Sequence, residues 1–377
     1  MGYKERLREF LSAFIPKQNY FITPILVLTN IAIYVISNVV MMVLMMILFT
    51  NAGKHHGHGP GNFINSLNDV YLSLGFSSRT QVLNGQVWRL LTNTFLHFSF
   101  MHLAGNMVVL IYIGSLLESK LGRWKYLSLY LLTGICASIT SVVWHDQGIA
   151  AGASGAIFGL FGILLALLST KFYEGNARRA LLISTAIFVG YHIIPFGKRI
   201  DHAAHLGGLI AGYLFGLIAY WGLKTYRDKL ITVIPVALTI VYTGLCLQFA
   251  PIYQLKDFAK LSRLSEKLSD SLRTDFYGNY TNNRDTLSEV FTHTGLPHID
   301  TLKKVAIQMD HLTLPKKQKK IANVKSRLLL EECKLYTLIY KEFRDKDQVK
   351  YRGKISKTTQ NINDLRVEWG KVVEGEN

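Results

Sequence analysis

Cysteine and acidic residues are scarce. Three cysteines, Cys136, Cys246 and Cys333, occur among 377 residues. None stands at metal-ligand spacing from another, which excludes a metal module built on them and leaves them as free thiols. Asp and Glu number 25 against 42 Lys and Arg, a formal charge of +17. That excess does not read as a nucleic-acid surface, because much of it lies beside apolar stretches and in the C-terminal tail. An internal repeat of the kind that builds many transporters is missing. No small-residue cleavage site follows the first apolar stretch, so a cleavable signal peptide is not expected.

Apolar sequence, by contrast, is abundant. Mean hydropathy is positive, +0.21, and 49% of residues are apolar despite the many cations, so the two kinds must be segregated along the chain. Seven nearly charge-free stretches, 21–50, 102–117, 126–144, 153–170, 180–195, 203–221 and 230–250, have roughly the length a helix needs to cross a bilayer, about 17 to 25 residues. The chain therefore reads as an all-α, polytopic membrane protein. Lys4, Arg6, Arg8 and Lys17, then Lys120, Arg123 and Lys125, then Lys171, Arg178 and Arg179, then Lys224, Arg227 and Lys229 fall in the N-terminal segment and in alternate loops. Positive loops stay on the cytoplasmic side, so the N-terminus is expected inside, with Lys198 and Arg199 dissenting. A bacterial inner membrane is the expected location.

Four parts follow. Residues 1–20 form a cytoplasmic segment and 21–226 a six-helix core, in which 51–97 is a long outer loop carrying short interfacial helices. Residues 227–250 form a seventh span. Residues 251–377 become charged with helical periodicity at Phe258, Leu261, Leu264, Leu268 and Leu272 and at Ile321, Val324, Leu328 and Leu335, a small soluble helical domain placed outside by seven spans.

Polar residues inside apolar spans carry the functional signal, since each is costly there unless paired or facing water. His102 and Asn106 are four apart and share a helix face. Gly152-Ala153-Ser154-Gly155 opens the fourth span and Ala204-His205-Leu206-Gly207-Gly208 the sixth. With the N-terminus inside, the second, fourth and sixth spans all begin at the outer side, so the three motifs share one depth. Gly155 and Gly159, and Gly208, Gly212 and Gly216, form small-residue stripes that let helices approach closely. Packing the fourth span on the sixth would set the Ser154 hydroxyl beside the His205 imidazole, as a nucleophile and its base require. His102, Asn106 and the Ser154 backbone N–H are suitable donors for a tetrahedral oxyanion.

The order and spacing of Trp88-Arg89, His97, His102 to Asn106, Gly152 to Gly155 and Ala204 to Gly212 closely resemble the rhomboid family of intramembrane serine proteases, over roughly residues 21–221. The resemblance implies catalytic Ser154 and His205, oxyanion stabilisation by His102 and Asn106, a six-helix core in the lipid bilayer, and transmembrane protein substrates cut near the outer face. It implies no cofactor and no metal. Phe158 stands where many relatives have a tyrosine under the catalytic imidazole, so stacking survives there without a phenol hydrogen bond. The seventh span and the tail lie outside the resemblance.

Simpler roles account for other residues. His55, His56 and His58 read as an exposed loop, and His145, His192 and His202 as interfacial or supporting. Asp201 reads as the cap of the sixth span rather than a third catalytic member. Trp88 and Arg89 read as anchors of the first loop at headgroup level. A soluble Gly-x-Ser-x-Gly hydrolase is excluded, because this serine opens an apolar span rather than following a strand. A catalytically silent relative that binds membrane clients is the alternative function, but it would have lost Ser154 or His205, and both are present. Oligomeric state is not legible.

Overall fold

The computed structural model describes residues 14–52, 60–170, 172–173, 175–193, 200–279, 289 and 291–374. The chain divides into two compact units, Met1–Ala250 and Pro251–Asn377. His55, His56 and His58, Lys4, Arg6 and Arg8, and Lys198 and Arg199 lie outside the described residues.

The first unit contains α1 (Ile22–Ala52), three short helices of the first loop, α2 (Pro60–Ser73), α3 (Arg79–Leu83) and α4 (Arg89–Thr92), a 3-10 turn (Asn93–Phe95), and then α5 (Phe100–Leu121), α6 (Arg123–Trp144), α7 (Ser154–Ser169), α8 (Gly175–Ile193), α9 (His202–Lys224) and α10 (Leu230–Phe249). Each of the seven apolar stretches is thus a helix. Among the described residues five helices are long and apolar enough to cross a membrane: α1 over Ile22–Ile47, α5, α6, α9 and α10. Helix α7 is apolar but only 16 residues long, and α8 opens on a polar turn, Gly175 to Arg179.

Burial explains the layout. Nearly every residue of α7 after Ser154 is buried, which a helix achieves only at the centre of a bundle. Helices α5, α6, α8 and α9 pack around it, and Leu110, Ile113, Tyr130, Leu160 and Ile163 fill the shared core. The outermost helix α1 exposes Val35, Ile36, Met42 and Met46, the lipid-facing pattern of a peripheral span.

A carboxylate fixes where α1 begins. Glu118, 1% exposed near the end of α5, accepts from the amides of Phe21 at 2.7 Å, Ile22 at 2.6 Å and Thr23 at 2.9 Å, and from Thr23 Oγ1 at 2.8 Å. These are the amides that a helix start leaves without intrahelical partners, at the positive end of its dipole. Glu118→Gln puts an amide NH2 against donors in a dry site, and about 2 kcal/mol of stability should disappear. Thermal unfolding in detergent checks it, and an unchanged midpoint would refute the role.

Arg89 departs from its expected place. It is 6% exposed, and its guanidinium donates to the carbonyls of Leu72 at 2.5 Å and Phe76 at 2.7 Å and to Gln86 Oε1 at 2.7 Å. The arginine therefore folds the first loop onto itself rather than reaching lipid headgroups. Its neighbour Trp88 is half exposed and lies under the guanidinium, 4.5 Å away.

The described residues of the second unit form the helices α11 (Leu255–Asn279), α12 (Leu296–His311), α13 (Lys316–Asp345) and α14 (Gln348–Glu374), with a π turn (Phe291–Gly295) before α12. Leu272, Phe291, Ile299, Leu302, Met309, Leu329 and Cys333 form its core. The inward face of α13 runs through Ala322, Val324, Leu329 and Cys333, with Val324 as expected and Leu329 in place of Leu328, and Leu264 of α11 is exposed. Lys325 is 8% exposed and donates to Ser262 Oγ at 2.5 Å and Glu266 Oε1 at 2.7 Å. That hydrogen bond holds the Glu266 carboxyl below its ordinary range.

Candidate active site

Ser154 is the first residue of α7, and Gly152 delivers the chain to it. Gly152 has φ of +139°, a conformation L side chains rarely adopt, and a Cβ there would lie 2.8 Å from His102 Cε1, 3.0 Å from His102 Nε2 and 3.7 Å from Ser154 Oγ. Backbone freedom and closeness both demand glycine. The same observation places the His102 ring and the Ser154 hydroxyl both within 4 Å of one point.

The approach to Ser154 is held from the first loop. Ser77 and Ala150 exchange amide hydrogen bonds at 3.0 and 2.8 Å, and the Gly152 amide donates to the Asn93 carbonyl at 2.9 Å. The Asn93 side chain in turn accepts from Ser138 Oγ of α6 at 2.9 Å. Above Ser154, the Ala153 amide donates to His97 Nε2 at 3.5 Å. Burial, with His102 beside it, pushes the His97 imidazole down to about 3, against a backbone hydrogen bond at Phe95. His97 is therefore neutral near pH 7 and keeps an acceptor nitrogen for that amide.

His102 lies in the first turn of α5, where its amide donates to the capping Ser99 hydroxyl at 3.3 Å. Its ring meets His97 edge-on at 5.1 Å and stacks beside Phe98 at 6.5 Å. Asn106, one turn on and 8% exposed, has an Nδ2 with no hydrogen-bond partner. A buried amide donor left this way costs roughly 1 to 3 kcal/mol, and a catalytic role is one of the few reasons for a native fold to keep such a group.

His205 is 6% exposed and stacks on Phe158, centroids 4.1 Å apart and planes 8° from parallel. Phe158 stands one turn after Ser154, so the imidazole covers the turn that begins with the serine. The close approach of α9 to α7 makes this possible. A Cβ on Gly208 would lie 2.1 Å from the Gly155 carbonyl oxygen, and one on Gly212 1.9 Å from that of Gly159.

The glycine stripes divide their work differently from the spacing argument. Gly155 and Gly159 present their missing side chains to α6, where a Cβ would meet Ala137 at 2.6 Å and Thr133 at 2.2 Å. Gly162 faces α9 instead, 2.2 Å from the Leu209 carbonyl oxygen on the same measure. A helix buried on several sides needs small residues on several faces, and one stripe cannot serve both neighbours.

Asp201 caps α9 by accepting from the Ala204 amide at 2.9 Å. His202 meets His205 edge-on at 6.4 Å, while the His192 side chain lies outside the described residues. A cavity of about 30 Å³, lined by Asn93, Ser138, Ser141, Ser154 and Asp201 among others, has room for a water and enough polar atoms to hold it. Asn93, Ser138 and Ser141 were not singled out from sequence, since single polar residues in a loop or at one helix end carry no pattern. Among the described residues no three His, Cys, Asp or Glu side chains gather as a metal site would require.

Fold and site together define an integral, multi-pass helical membrane protein whose buried central helix opens on a serine, with a histidine packed over its first turn. Residues 84–222 match the rhomboid domain, so the membrane unit carries a rhomboid-family domain. It is similar to RHOMBOID-like protein 5 of Arabidopsis thaliana, 38% identical over 38% of this chain and 48% of that protein. RHOMBOID-like protein 7 of the same plant is 35% identical over 52% of this chain and 66% of its own length. Rhomboid protease GluP of Bacillus subtilis is 35% identical over 38% of this chain and 28% of that protein. The chain thus spans less than two thirds of the curated relatives it matches. Helix α10 and the second unit, like α1, α2 and α3, lie outside the residues 84–222 that match the rhomboid domain.

Proposed function

We propose that the chain is an intramembrane serine endopeptidase that cleaves transmembrane protein substrates at or near the outer face of the membrane. The observation that carries this is the stacking of His205 on Phe158, one turn along the buried helix that Ser154 begins. In this reading neutral His205 takes the Ser154 proton as the serine oxygen attacks a peptide carbonyl, and the imidazolium returns it to the leaving amine. The tetrahedral oxyanion is held by the Ser154 amide, by His102 across Gly152 and by the uncommitted Nδ2 of Asn106. Water from the small polar cavity then hydrolyses the acyl-enzyme with His205 as base. Gly152, Gly155, Gly208 and Gly212 act structurally, by letting these groups approach. No step requires a cofactor.

The basic clusters at 120–125 and 224–229 support a cytoplasmic N-terminus and an outward-facing Ser154. Labelling of the detergent-purified protein by a fluorophosphonate or isocoumarin probe tests the function. Labelling is expected for the unaltered chain and should vanish in Ser154→Ala. A folded protein that neither probe labels would instead be a silent, client-binding relative.

A further inference from the structure

His205 is brought to the first turn of α7 by a close contact in which Gly208 and Gly212 of α9 lie against the backbone of Gly155 and Gly159. Side chains also join the two helices, at the Phe158–His205 stack and at the 3.2 Å hydrogen bond between the Ser169 and Tyr213 hydroxyls. Toward α6, Gly207 lies against Thr140. None of these contacts holds the backbone of the turn that carries His205.

We propose that Asp201 does this: it is a positioning residue for His205, clasping the last turn of α6 to the first turn of α9. The inference rests on the protease reading above. Ser141 Oγ donates to Asp201 Oδ2 at 2.5 Å, and His145 Nε2 bonds Oδ1 at 3.1 Å. Those partners lie 60 and 56 positions earlier in the chain, on or just past the end of α6. On the α9 side Oδ1 takes the amide of Ala204, the residue before His205, and the His205 amide donates to the Asp201 carbonyl at 3.1 Å. Both ends of the turn that carries the histidine are therefore held by one residue.

A helix cap alone does not call for this arrangement. One side-chain oxygen satisfies a cap, and asparagine does it as well as aspartate. The clasp adds the second oxygen, which accepts from Ser141, and a further bond from His145 on the first; asparagine replaces that second acceptor with a donor, so the Ser141 bond must reverse. Asp201→Asn therefore keeps the cap and weakens the clasp, while the pair Ser141→Ala with His145→Ala removes the clasp and leaves the cap intact. Asp201 does not touch the reacting atoms, so its effect passes through the placement of His205, where an error near 1 Å costs on the order of 10² in rate.

The experiment compares probe-labelling rates, and kcat and KM on a cleaved transmembrane substrate, for the full chain, Asp201→Asn and the pair Ser141→Ala with His145→Ala. For Asp201→Asn the expected result is a fall of about tenfold or more in kcat and in labelling rate, with KM changed less than about twofold and the melting temperature near that of the unaltered chain. The Ser141 and His145 pair should reproduce the fall, and adding it to Asp201→Asn should cost little more, since one clasp cannot be broken twice. If Asp201→Asn does not fold, the pair alone decides. Unaltered labelling rates in folded Asp201→Asn and in the pair would overturn the inference and leave Asp201 as a cap. That outcome is distinct from failure of the protease reading, in which the unaltered chain goes unlabelled or Ser154→Ala still labels.

Discussion

His205→Ala is expected to reduce proteolysis and probe labelling by about 10⁴-fold or more, nearly as far as Ser154→Ala. The serine hydroxyl is a weak nucleophile until a base receives its proton, and His205 is the imidazole packed over the turn that Ser154 begins. Removing either member idles the other, so the double variant should be scarcely worse than either single one. The substitution also uncovers the Phe158 ring, and a modest loss of thermal stability should accompany the loss of activity. His205→Phe separates the two effects. It refills the stack on Phe158 and should recover stability, while activity stays at the floor. Near-normal labelling in a folded His205→Ala protein would refute the proposed base.

Gly212→Ala should be the most damaging single-methyl change in the membrane unit. Its Cβ would stand 1.9 Å from the Gly159 carbonyl oxygen and 2.8 Å from the Gly159 Cα, all backbone of a buried helix. No rotamer relieves that contact, so α7 and α9 must separate by about 1 Å or more, and overpacking on this scale costs roughly 3 kcal/mol. The same displacement parts Ser154 from His205, and an activity loss of about 10² is expected even in the folded fraction. Gly190→Ala is the matched control: a Cβ there meets nothing within 4 Å, and the change should fall within about 0.5 kcal/mol. Unfolding midpoints in detergent and labelling rates per folded molecule distinguish the two. Equal behaviour of both variants would mean that the α7–α9 contact yields far more readily than its backbone geometry indicates.

The membrane helices are legible because bilayer thickness imposes one length on a nearly charge-free run, and all seven runs are helical. The candidate site is legible for a related reason. Ser154, His205, His102 and Asn106 are polar residues inside apolar sequence, and few structural roles tolerate that placement. What sequence concealed depends on partners far along the chain. Glu118 reads as the charged edge of a span until the amides of 21–23, some 95 residues earlier, are seen converging on it. Arg89 reads as a headgroup anchor because its acceptors are carbonyls, which every residue possesses and no sequence pattern advertises. The double-sided use of Gly155 and Gly159 stayed hidden for a third reason: spacing assigns residues to a helix face but does not say which neighbour lies there.

Helix α7 spans 16 residues, about 24 Å of rise, against roughly 30 Å of hydrocarbon. Its neighbours α5, α6 and α9 have 22, 22 and 23 residues and reach across the full width, about 33 to 35 Å. A short helix facing lipid would strain the bilayer, but this one is buried along nearly all its length, so its neighbours carry the bilayer contact in its place. They outreach it by about 9 to 11 Å, shared between its two ends. On the protease reading proposed above, a substrate segment meets the serine end of α7 among longer helices, where an extended chain passes more easily than a helix about 10 Å across.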